Sequence, residues 1–319
     1  MKKNKYLHMA VIFKASNLNY GEGVGNILTL KKVTTEGKNF SYISRQALRY
    51  DIVRGLNELY GYKPAAVNKE AGVIQFTETA TIKEFPEIDF FGYMKTEKKE
   101  QSKVNDSKRQ GNTGNKDKTK IRKAVVRLTD AVSLEPFCNE LEFGTNKGLA
   151  DRIPNNTGND IFQAEIHRTY YCYTLTCNLE EIGIDSVYAI NLDNRERAKR
   201  VKNLLNVIKL LNRDIRGKRE NLSPLFVIGG LYDVGNPFFY NRIKLLFTKD
   251  KILLNEKLIN STLSIKTIEK TVGEQSKLGF LDGEFSNIEG INKEVEKLSI
   301  ENFFGELEKQ IDEFYEVSE

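Results

Sequence analysis

Tyr42-Ile43-Ser44-Arg45-Gln46-Ala47-Leu48-Arg49-Tyr50 is the stretch on which the reading of this 319-residue chain turns. Ser44 is placed to cap a helix in which Leu48, Ile52, Leu56 and Leu59 recur at helical spacing, since a serine oxygen accepts readily from a backbone N–H of the first turn. Gly61 is the expected stop. A helix start presents backbone N–H groups without helical partners and the positive end of the dipole. Here Ser44, Arg45 and Gln46 add side-chain donors, and Arg49 comes one turn later. That set suits phosphate groups. The plainer alternative is an amphipathic helix whose outer face, Arg45, Arg49 and Arg54, is simply solvated.

Working outward, Tyr6–Lys14 (YLHMAVIFK) reads as a buried strand, succeeded by a turn-rich loop over 15–26. Gly21, Gly23 and Gly25 in that loop do not open into a helix. The next residues, Ile27 to Lys32, read as extended, so a dinucleotide fingerprint does not fit; no phosphate-loop motif of a nucleotide triphosphatase occurs either. Beyond the helix, 62–94 reads as short strands and turns. Residues 95–123 carry 11 basic and 4 acidic side chains with almost nothing apolar, a basic loop within a domain or a linker between two. A strand over 124–135, a polar excursion over 138–163 and a strand over 164–178 come next. Asn194 is the expected cap of a second helix with Val201, Leu204, Leu205, Ile208 and Leu211 on one stripe, and Leu225–Ile228 is a short strand running into Gly229-Gly230. The order β-α-β-β-α-β predicts an α+β fold with a ferredoxin-like, RNA-recognition-motif palm. The C-terminal stretch ends in an amphipathic helix with Phe304, Leu307, Ile311 and Phe314 on one face, expected to dock on the body or on a neighbouring subunit.

Net charge is +5, but it is unevenly spread. Between Glu284 and Glu319 there are 11 acidic and 3 basic residues, net −8, which leaves +13 on residues 1–283. The positive charge clusters over 95–123 (net +7) and 195–219 (net +8). Such clusters fit a polyanionic partner, because neutralised phosphates release counterions, or else a solvated surface. Cys138, Cys172 and Cys177 are odd in number and not at metal-ligand spacing, which argues against a disulfide framework or zinc knuckle and for a reducing cytoplasm. Apolar runs are too short for a membrane helix. His8 and His167 both fall in expected strands, where a packed structural role outweighs general-base chemistry. Phe143, in the polar protrusion Glu140–Gly148, either wedges between unstacked bases or anchors its own loop.

Three segments together resemble a known family. They are Ser16-Asn17-Leu18-Asn19, the Ser-x-Gln-x-Leu-basic pattern at 44–49, and Arg127-Leu128-Thr129-Asp130-Ala131-Val132-Ser133-Leu134-Glu135-Pro136. With the order of elements over about 6–235, they make the chain similar to the Cas-seven family, DevR-like group of type I-B, the CRISPR RNA-binding backbone subunit of Cascade interference complexes within the RAMP superfamily. The resemblance implies a palm spanning 1–283, with a finger insertion of about 60–123, a thumb of about 138–165, and an acidic helical segment over 284–319. It implies copies stacked head to tail along a CRISPR RNA, pairing of the guide with target DNA, and large, small and repeat-processing subunits as partners, with no membrane, metal or cofactor. Carried over by position, Asn17 and Asn19 approach the RNA backbone, Ser44, Arg45, Gln46 and Arg49 hold its phosphates, Phe143 is the wedge, and Arg127, Gly229 and Gly230 are further candidates. Some RNA-cutting relatives use a loop aspartate, but nothing distinguishes Asp151 or Asp160 from turn residues, so no catalysis is expected. The alternatives are a metal-independent RNA endonuclease of the same superfamily, using His8 or His167, and a DNA-binding regulator.

Overall fold

The computed structural model describes residues 5–21, 23, 25–69, 72–96, 119–154, 158 and 161–317. Most of the basic stretch over 95–123 lies outside the described residues, as does Asp160.

Nine strands form the main sheet: β1 (Tyr6–Ser16), β2 (Lys32–Thr35), β3 (Lys38–Ile43), β4 (Val126–Leu128), β5 (Ala131–Ser133), β6 (Arg168–Asn178), β7 (Phe226–Tyr232), β8 (Lys277–Phe280) and β9 (Glu296–Ser299). Their order is β9-β8-β7-β1-β6-β5-β3-β2, with β4 also paired to β6. β1 lies at the centre, antiparallel to β6 on one side and β7 on the other. Its sequence explains why, because almost every residue is apolar and a central strand with both faces covered needs no polar alternation. Leu7, Met9, Val11 and Phe13 point into a core closed by three helices, α1 (Arg45–Tyr60), α2 (Asn194–Lys209) and α3 (Ile300–Tyr315). Ala10 and Ile12 point the other way, against Phe226, Ile228 and a layer built from residues 238–295.

Several expected elements shift. The strand expected over 124–135 is broken at Thr129-Asp130, where the Thr129 hydroxyl accepts the Thr174 N–H and frees Asp130 to face α1. The strand expected over 164–178 splits at His167. Ile161–Ile166 pairs with Glu140–Thr145 in a protruding hairpin, and β6 begins only after it. The cap of α2 is Asp193 rather than Asn194, its carboxylate accepting the Glu196 N–H at 2.8 Å.

The acidic segment over 284–319 is not set apart from the body. β9 extends the main sheet in parallel with β8, and Phe303, Phe304, Leu307, Ile311 and Tyr315 of α3 enter the same core as β1. The carboxylates of α3 meet α2 of the same chain, Asp312 with Lys202 at 2.8 Å and Glu301 with Lys209 at 2.9 Å. Among the described residues, no helix is long and apolar enough to cross a membrane.

Candidate nucleic-acid interface

The start of α1 gathers most of the expected site. Ser44 caps the helix in an extended conformation, its Oγ accepting the Ala47 N–H, and the Asn19 carboxamide donates to the same oxygen at 3.3 Å. Leu48, Ile52 and Leu56 bury the opposite stripe, and Gly61 ends the helix with a left-handed φ of 70° that suits glycine. Arg45 and Gln46 stand exposed on the first turn. The helix end is less open than the sequence suggested. Asp130 Oδ1 accepts the Arg45 N–H at 2.7 Å and Ser44 the Ala47 N–H, so two first-turn donors expected to face a phosphate are already satisfied. Side chains, with Arg45 foremost, therefore carry the cationic character of this surface.

Arg49, one turn after Arg45, is half-buried. Its Nη2 donates to Glu87 Oε1 at 3.0 Å, and its guanidinium lies 4.9 Å from the centre of the Phe91 ring. Arg54 is spent within the chain, on Glu58 and on Asn212. Asn17 is buried with a left-handed φ of 57°. Its Oδ1 accepts the His167 N–H and its own N–H donates to the His167 carbonyl, a clasp joining the end of β1 to the start of β6.

The remaining candidates lie elsewhere. Arg127 is exposed on β4 with its Nε on the Ala124 carbonyl, beside a groove of about 560 Å³ lined by Tyr6, Thr174, Thr176 and Asn236. Phe143 is 61% exposed on the protruding hairpin, opposite Gln163, with Leu141 and Ile161 exposed on the same face. Gly229 and Gly230 are buried inside β7. A Cβ on the first would run into the backbone of His8 and on the second into that of Gln275, so close packing explains both glycines.

Half of the basic residues over 195–219 are engaged within the molecule, while Arg195, Lys199, Arg216, Lys218 and Arg219 are exposed. Arg197 donates to the carbonyls of Leu179, Glu180 and Ile182, Arg200 meets Asp89 and Glu196, Lys202 and Lys209 meet α3, and Arg213 meets Asp51. The histidines are inward too. His8 is fully buried, its Nδ1 on the Leu175 carbonyl and its Nε2 accepting the Phe239 N–H, and burial pushes the ring down to about 4. His167 bonds Ser41 Oγ at 2.7 Å, and burial lowers it as well.

Asp130, Glu87, Asp89 and Arg200 were not singled out from sequence. Only Asp130 left a signal there, a charged residue interrupting a strand pattern, and nothing local said that its carboxylate would reach α1.

A family model described as CRISPR-associated negative auto-regulator DevR/Csa2 matches residues 7–252. A curated relative from Myxococcus xanthus (strain DK1622), CRISPR-associated protein Cas7/Cst2/DevR, is 26% identical over 184 residues, 54% of this chain. The match spans 57% of that relative's length. Among solved structures, a chain of a CRISPR RNA-guided surveillance complex in a pre-nicking state superposes with a TM-score of 0.60 at 10% identity, covering 95% of this chain and 100% of that one. A chain of a second CRISPR RNA-guided surveillance complex gives 0.58 at 12% identity, covering 98% and 99%. At such identities these two likenesses speak to fold.

Proposed function

Because this chain belongs to the DevR/Csa2 family of CRISPR-associated proteins, the Cas7 group, we propose that it is a non-catalytic CRISPR RNA-binding subunit of a type I-B surveillance complex. In this reading the four strands β7-β1-β6-β5, with α1 between β1 and β5 in sequence and α2 between β6 and β7, are a ferredoxin-like palm. The region between α1 and β4 is the finger and the Glu140–Ile166 hairpin the thumb. Copies polymerise head to tail along the guide, which is the expected outcome of a heterologous contact that does not close, and the displayed guide pairs with target DNA. Arg45, Gln46, Ser44, Asn19 and Arg49 hold the RNA backbone, Phe143 is the wedge, and Arg127 is a secondary contact. Asn17, Gly229 and Gly230 act indirectly, by fixing the ends and spacing of the central strands. The complex is cytoplasmic, in keeping with three free thiols.

The observation that carries this reading is the convergence at the start of α1: Asn19, Ser44 and the exposed Arg45 and Gln46 stand together, in a chain that the DevR/Csa2 family model matches over 7–252. Sequestration of His8, with both ring nitrogens engaged, weighs against the endonuclease alternative. Among the described residues the exposed Arg45 side chain has no hydrogen bond or ion pair, so Arg45→Glu tests the site. Fluorescence anisotropy with a labelled single-stranded RNA of mixed sequence should show affinity lost and the wild-type salt dependence flattened, with the thermal midpoint unchanged. Unaltered RNA affinity in that variant would overturn the assignment.

A further inference from the structure

The short helix Pro86–Phe91 carries no basic residue and belongs to no motif in the sequence, yet it supplies both the ion-pair partner and the aromatic partner of the Arg49 guanidinium. Glu87 Oε1 accepts from Arg49 Nη2 at 3.0 Å, while Glu87 Oε2 accepts the Ala65 N–H at 3.0 Å, so neither oxygen can swing without breaking a bond. Phe91 stands four residues on, hence on the same helical face, with its ring under the guanidinium. These contacts use one nitrogen and one face of a planar group that has five N–H donors. The side chain keeps 34% of its surface open, enough for an anion to reach its other edges.

The helix is itself immobilised from its opposite side. Asp89, fully buried, accepts from Arg122 at 2.7 Å, from Arg200 at 2.9 Å and from the Gly183 N–H. Arg200 also donates to the carbonyls of Ile82 and Lys83, just before the helix. A buried carboxylate facing two guanidiniums is a poor route to stability, because desolvation offsets the attraction; its contribution is a fixed direction.

We infer that Glu87, seconded by Phe91, is a positioning residue that aims the Arg49 guanidinium at an RNA phosphate, with Asp89 holding their helix in place. This rests on the reading that Arg49 binds RNA, and the test separates the two. RNA affinity and its salt dependence are measured by anisotropy for the wild type, Arg49→Met, Glu87→Gln and the double variant; glutamine keeps an acceptor for the Ala65 N–H, and near-UV circular dichroism checks the fold. Arg49→Met should weaken binding about tenfold and reduce the log–log salt slope by about 0.7, one phosphate contact on a single strand. Glu87→Gln should weaken binding about fivefold with a similar fall in slope, and should have no further effect in the Arg49→Met background. Wild-type affinity in Glu87→Gln, or a Glu87→Gln effect that adds in full to Arg49→Met, overturns the positioning role. If Arg49→Met binds like the wild type while Arg45→Glu does not, the inference falls and the RNA-binding function stands. If the wild type itself does not bind RNA, the function falls as well.

Discussion

Deleting residues from Ile300 onward is expected to unfold the chain rather than to remove a solvated acidic tail. Phe303, Phe304, Leu307 and Ile311 are fully buried in the core shared with β1, α1 and α2. At about 1.5–3 kcal/mol for each fully buried side chain, their burial contributes roughly 6–12 kcal/mol. A whole domain is stable by only about 5–15 kcal/mol. The charged contacts of α3 are small beside this. Glu301 is mostly exposed where it meets Lys209, and the Lys202–Asp312 pair is about one-third open, so each is worth at most about 1 kcal/mol and is screened by salt. Urea unfolding monitored by far-UV circular dichroism separates these terms. Phe304→Ala should lose about 3–5 kcal/mol, the double variant Glu301→Gln/Asp312→Asn at most about 2 kcal/mol, and the deletion should show no cooperative transition. A deletion variant that unfolds cooperatively at the wild-type midpoint would refute the reasoning. So would a double charge variant that loses as much as Phe304→Ala.

Two further expectations concern the interior. Burial holds His8 at about 4 against an ordinary 6.5, so the unfolded chain takes up the proton first as pH falls. The stability gained from keeping this ring neutral is fully present above about pH 6.5 and is lost as pH falls to about 4, a window of about 3 kcal/mol; urea midpoints across that range should fall in the wild type and flatten in His8→Gln. Asp89→Asn removes the charge that compensates Arg122 and Arg200 and should cost about 3–5 kcal/mol, read as a lowered thermal midpoint. An unchanged midpoint would show that the cluster relaxes without penalty.

How much was legible in advance depends on whether the deciding contact was local. The cap at Ser44, the stop at Gly61 and the burial of Leu48, Ile52 and Leu56 involve neighbours along one helix and lie where the pattern placed them, whereas Leu59, expected on the same stripe, is exposed. The break at Asp130 answers to a helix more than 80 residues earlier, which no window around it contains. Net charge over 195–219 does not tell which of its cations stay on the surface, for the same reason. Arg197, Arg200, Lys202, Lys209 and Arg213 turn to the carbonyls of 179–182, Asp89, α3 and Asp51, while the other five stay exposed. The amphipathic pattern of α3 announced a buried face but not which surface buries it. Arg45 and Gln46 stand exposed beside the cap, on the first turn that the pattern at 44–49 marked, whereas the contacts of Glu87 with Arg49 and with the Ala65 N–H join residues far apart in sequence.

The position of α3 also sets a clock on biogenesis. β1 leaves the ribosome roughly 300 residues before α3, which enters the same core; at about 5–20 residues per second that is on the order of 15–60 s. Through that interval the core that Leu7, Met9, Val11 and Phe13 enter is incomplete, since Phe303, Phe304, Leu307 and Ile311 have yet to be made. A nascent chain that stalls short of α3 therefore carries an open core, and is a substrate for chaperones and proteases before it can compete for a ligand. Closure of the core therefore waits on residues made roughly 300 positions after its central strand.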